Sequence, residues 1–167
     1  MGPAFAAVGA GLAALLEATT ATRYQLAGSQ LQILLVFAIA VTIVFGFEMG
    51  MAWAFVGGLM ADFLFLRPIG STVFELLVVV GFTDLSVPLL ARARYPGCIG
   101  AVFVLTPVYL VVADMVSALL QPPAPTLNVS SLVIAAVVNA ALAALAAPLV
   151  IGLKRRAEQR ERVLWWR

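Results

Sequence analysis

Residues 31–153 form a succession of long apolar runs separated by short polar turns. A helix crosses a bilayer with about 17 to 25 such residues. Several of the runs reach that length. A water-soluble domain carries about 25% charged residues, whereas this 167-residue chain has 11% charged and 63% hydrophobic residues. So little charge cannot cover a surface in water. The chain therefore reads as one all-α integral membrane domain with no soluble domain of useful size.

The runs place six transmembrane spans at about residues 3–16, 31–47, 50–66, 70–90, 98–120 and 132–153, with a basic tail at 154–167. Glu17 closes the short first span, and residues 18–30 turn polar, as a loop or interfacial piece. Glu48 ends the second span. The third reads as a full crossing rather than two half-helices meeting at Gly57-Gly58. Residues 91–97 read as a basic turn and 121–131 as a stiff polar loop. No positive n-region of a signal peptide precedes Ala4, so the apolar start reads as the first span.

Orientation follows from Lys and Arg placement. With both termini in the cytoplasm, that side holds eight basic residues: Arg92, Arg94, Lys154, Arg155, Arg156, Arg160, Arg162 and Arg167. The outer side then holds two, Arg23 and Arg67. The tail, with Trp165 and Trp166, suits a membrane surface rich in anionic lipid, and no nucleic-acid partner is expected.

Composition also restricts the chemistry. There is no His and a single Cys, Cys98. An internal disulfide is impossible, and no His/Cys metal cluster or other cofactor site is expected. A serine nucleophile would lack its usual base.

The stretch GFEMGMAWAFVGGLMADFLFLRPIG (residues 46–70) carries the strongest pattern. Gly46, Gly50, Ala54, Gly58 and Asp62 recur every fourth residue, which puts them on one helix stripe. Small-xxx-small faces let membrane helices approach closely. Ala6, Ala10 and Ala14 form a similar ladder. It reads as ordinary helix packing or as a docking face for another membrane subunit. Asp62, Glu75, Asp84 and Asp114 lie within or near the ends of apolar runs. Carboxylates there are expensive unless partnered or functional. Asp62 has two readings: structural, bonding backbone donors or Arg67 across a tight turn, or direct recognition of a partner or ligand. A proton or cation path through the four acids would need them on facing surfaces.

Gly58-Leu59-Met60-Ala61-Asp62, followed by Pro68-Ile69-Gly70, resembles the signature of the rod shape-determining protein MreD family. There a glycine-rich helix runs into GLxxD and then PLG; Ile69 stands here for the usual Leu. The resemblance spans roughly residues 12–81. The family often has Pro-Asp before the second span, where this chain has Ser29-Gln30. The resemblance implies a six-helix fold similar to the substrate-binding component of energy-coupling-factor transporters. It also implies a non-enzymatic adaptor of the bacterial cell-elongation machinery in the cytoplasmic membrane. Its partners would be MreC and possibly MreB and the RodA–transpeptidase pair. The motif residues it carries over are Gly58, Leu59, Asp62, Pro68 and Gly70, with Gly46 and Gly50 leading into them.

Two other classes stay open. A vitamin transporter's substrate-binding component would use the alanine ladder for docking, and Asp62, Glu75 and Arg67 for a small polar ligand. A proton-coupled carrier or membrane enzyme would use Asp62, Asp84 and Asp114.

Overall fold

The computed structural model describes residues 3–21, 25–26, 29–90, 94–120 and 128–164. Arg23, Arg92, Trp165, Trp166, Arg167 and most of the 121–131 loop lie outside the described residues. The elements run α1 (Pro3–Ala21), β1 (Gln25–Leu26), β2 (Ser29–Gln30), α2 (Ile33–Phe45), α3 (Phe47–Leu64), α4 (Ser71–Leu90), α5 (Arg94–Leu120) and α6 (Val129–Leu164). The two short strands pair antiparallel, Gln25 with Gln30 and Leu26 with Ser29.

Among the described residues, four helices are long and apolar enough to cross a membrane, through Phe47–Leu64, Ser71–Pro88, Tyr95–Leu120 and Val129–Ala157. The chain is thus a helical membrane protein. The apolar stretches of α1 and α2, Ala6–Thr20 and Ile33–Phe45, are shorter. At about 1.5 Å per residue, the 13 residues of α2 extend only about 20 Å, against a hydrocarbon core about 30 Å thick.

Despite its length, α2 is the centre of the fold. It touches all five other helices, and residues 34–44 are buried, Phe37 aside. The termini of any helix leave backbone donors and acceptors unpaired. Here polar side chains from other helices meet them. Glu17 Oε2, on α1, accepts from the Leu34 N–H at 2.7 Å. Asn139 Oδ1, on α6, accepts from the Gln32 N–H at 3.2 Å, and its Nδ2 donates to Gln32 Oε1 at 2.8 Å. At the other end Lys154 Nζ donates to the Val44 carbonyl. An acid at the N-terminus and a cation at the C-terminus are the signs that the helix dipole favours.

These contacts also fix helix directions. Gln32 with Asn139 and Val44 with Lys154 make α2 and α6 parallel. Gly50 faces Thr42 and Gly57 faces Leu34, so α3 returns antiparallel to α2. The reversal takes one residue, Gly46, at φ 101°, a backbone state that costs other residues strain. Gly9 against Trp53, Ala10 against Gly57 and Gly11 against Met60 run α1 parallel to α3.

Several boundaries differ from the sequence expectation. α1 continues through Glu17 to Ala21, because Thr19 and Thr20 return their hydroxyls to the carbonyls of Leu15 and Leu16 and stay helical. Glu48 belongs to the first turn of α3, not to the end of the second run. α3 is one continuous helix through Gly57-Gly58. Arg94 to Gly97 open α5 rather than completing a turn; proline is tolerated in a first helical turn. Asn128 caps α6, its Oδ1 accepting from the Ser130 N–H at 3.4 Å. α6 does not stop at Leu153 but runs on through the basic residues to Leu164.

Candidate functional site

The glycine-rich stretch folds into the end of α3, a tight turn and the start of α4. The Arg67 N–H donates to the Asp62 carbonyl at 3.0 Å, and Leu66 sits at φ 53°. This is a Schellman termination of α3, with Leu where glycine is usual. Pro68 follows it, where the helix cannot continue. Gly70, at φ 94°, then turns the chain into α4.

Asp62 closes this turn. It is 1% exposed. Its Oδ2 accepts from the Gly70 N–H at 2.7 Å. Its Oδ1 accepts from the Thr72 N–H at 3.0 Å and from Ser71 Oγ at 3.1 Å. The carboxylate of one helix thus caps the next, where both the free N–H groups and the helix dipole favour negative charge. The Arg67 guanidinium is placed elsewhere, 5.5 Å from the Phe65 ring centroid.

The small residues of the stripe lie at close crossings. A Cβ on Gly58 would stand 2.7 Å from Val73 Cα and 2.8 Å from its N, and one on Gly50 would stand 3.3 Å from Thr42 Cα. Gly50, Ala54, Gly58 and Asp62 are buried, whereas Gly46 lies outside the helix and is exposed. Leu59 and Pro68 are half-buried. Ala6, Ala10 and Ala14 are buried inside the chain, with Ala10 against Gly57 of α3.

Beside the turn, between α4 and the last turns of α5, lies a cavity of about 240 Å³. Its polar lining is Arg67, Ser71, Glu75, Asp114 and Ser117. Glu75 is 2% exposed, and the Tyr109 hydroxyl lies beside its carboxyl. Glu75 Oε2 and Asp114 Oδ1 are buried without a hydrogen-bond partner. Of the four acids in the apolar runs, the structure brings these two to one cavity. Asp62 is spent in its cap, and Asp84 is exposed on α4. Among the described residues no three His, Cys, Asp or Glu side chains gather as metal ligands would.

Sequence reasoning missed the polar groups that serve α2: Glu17, Gln32, Asn139 and Lys154. Asn139 carried a usable signal, since a lone amide in an alanine-rich run seeks an interhelical partner. It is fully buried and also lies 3.5 Å from Thr106 Oγ1.

Comparison with protein-family models, curated proteins and solved structures gives no match to this chain.

Proposed function

We propose that this chain is a non-enzymatic membrane adaptor of the bacterial cell-elongation machinery, of the MreD type, joining an MreC-like single-pass partner through transmembrane helix contacts. In this reading it lies in the cytoplasmic membrane with six spans, both termini inside and a fold similar to the energy-coupling-factor substrate-binding components. MreB and the RodA–transpeptidase pair are its more distant associates.

The observation that supports it is the fate of the GLMAD…PIG residues. They are used to hold α3 against α4. Gly58 permits the crossing, and Asp62 gathers three donors from Gly70, Ser71 and Thr72. A motif used for shape suits an adaptor, whose task is to present a fixed surface. The outward sides of α3 and α4 carry large apolar residues such as Phe55, Phe63, Phe74 and Phe82, which suit lipid or a partner helix.

Depletion in the native cell tests the reading. Loss of the protein is expected to widen and round the cells and to stop wall insertion along the side wall. Unchanged cell width and wall insertion after full depletion would reject it. A second reading, a transporter's substrate-binding component, is favoured by one observation, the cavity lined by Arg67, Glu75 and Asp114.

A further inference from the structure

We propose that an apolar cavity at the α2–α3 corner takes up part of one acyl chain of an anionic phospholipid, whose headgroup phosphate is received by Lys154 and Arg156. The proposal does not depend on whether the chain is an adaptor or a transporter component.

The cavity measures about 70 Å³. Four helices line it, all at one end of the bundle. Ala6 lies near the start of α1, Phe45 at the end of α2, Met49 and Trp53 in the first turns of α3, and Val150 and Leu153 on α6. No lining residue is charged, and none carries a hydroxyl or an amide side chain. Such a space holds water poorly, since a buried water needs two to four polar partners. Its volume is that of about two waters at roughly 30 Å³ each, which suits a segment of hydrocarbon chain rather than a whole ligand. Val150 is 3% exposed and Leu153 40%, so the lining leads from the interior to the outer surface. Around a membrane protein, the apolar matter at that surface is lipid chain.

The charges beside the cavity select the lipid. Residues three and four apart share a helix face. Lys154 is four residues past Val150 and Arg156 three past Leu153, so both stand on the side of α6 that lines the cavity. Lys154 Nζ donates to the Val44 carbonyl, next to Phe45. An ammonium has three donors, so that contact does not exhaust it. Arg156 is exposed, and its guanidinium suits a phosphate through two parallel hydrogen bonds. Glu48 is the acid in the first turn of α3, and Lys154, Arg155 and Arg156 outnumber it. Basic pockets between membrane helices collect anionic headgroups in this way. A zwitterionic headgroup brings its own cation to the same place and gains less. Unlike the diffuse attraction of a basic tail for a charged surface, a cavity that admits one chain saturates.

The test uses the full chain, purified in detergent, with Trp165→Phe and Trp166→Phe, which leaves Trp53 as its one tryptophan. Its fluorescence is followed during titration with phosphatidylglycerol carrying brominated acyl chains, which quench on contact, and separately with brominated phosphatidylcholine. Trp53 is 6% exposed and lines the cavity, so a chain that enters the cavity meets it. The expected result is saturable quenching by phosphatidylglycerol, half-complete at a mole fraction about tenfold below that for phosphatidylcholine. Arg156→Gln should raise that mole fraction about fivefold, the worth of one basic residue near an anionic headgroup. Arg155→Gln, off the cavity's face of the helix, should change it less than about twofold. No quenching of Trp53, the same midpoint with both lipids, or equal shifts in Arg155→Gln and Arg156→Gln would overturn the assignment.

Discussion

Asp62 and Gly58 show what single residues do here. Asp62 receives three donors in a site closed to solvent. In Asp62→Asn one oxygen becomes an NH₂ that faces a donor instead of accepting from it. A buried unpaired group of this kind costs about 1–3 kcal/mol. Gly58→Ala drives a Cβ into the backbone of Val73, and overpacking of a tight core costs about 1–3 kcal/mol. Both variants should unfold at lower temperature than the parent in detergent. Gly81→Ala should not, since nothing lies within 4 Å of the added Cβ. Equal midpoints for all three, with partner recovery lost only in Asp62→Asn, would move Asp62 from architecture to recognition. The two structural partners proposed for Asp62 from sequence were backbone donors and Arg67. The structure uses the donors, since the Schellman turn sends the Arg67 side chain over Phe65. That geometry depends on Leu66 at positive φ, which no local rule assigns to leucine.

At the level of elements, the decisive feature is α2. A 13-residue helix is too short to face lipid across the whole core, and its ends need polar partners wherever they stop. Glu17 and Asn139 supply them at one end and Lys154 at the other. Asn139→Leu removes the acceptor of the Gln32 N–H and strands the Gln32 side chain. The expected loss is about 1–3 kcal/mol, read as a lower unfolding midpoint. Lys154→Met should cost less, about 0.3–1 kcal/mol, the scale of a charge at a helix terminus. A larger effect from Lys154→Met than from Asn139→Leu would contradict this view of α2. The apolar runs made the helices legible in the sequence. Their exact ends were not, because tertiary partners set them. Thr19 and Thr20 carry α1 past Glu17, and nothing in the sequence stops α6 at Lys154. The lone Asn139 and the single Lys154 could have been singled out. Their common target, the two ends of α2, is a property of the fold.

Across the whole molecule, the small-residue faces are consumed internally. Ala10 of the α1 ladder meets Gly57 of α3, and the glycine stripe of α3 meets α2 and α4. Pairing Glu75 with Asp114 was beyond the sequence as well, because it depends on the antiparallel meeting of the start of α4 with the end of α5. Among the described residues, large apolar side chains on the exterior and the polar cavity beside Arg67 stay open to other molecules. The central claim is that this exterior serves a single-pass membrane partner. Gentle detergent extraction of the tagged protein from its native membrane, with mass spectrometry of what accompanies it, addresses that claim directly. The account predicts recovery of an MreC-like single-pass protein, with or without cell-wall polymerases. Recovery of ATPases and a shared coupling subunit in its place would contradict it and assign the chain to solute uptake.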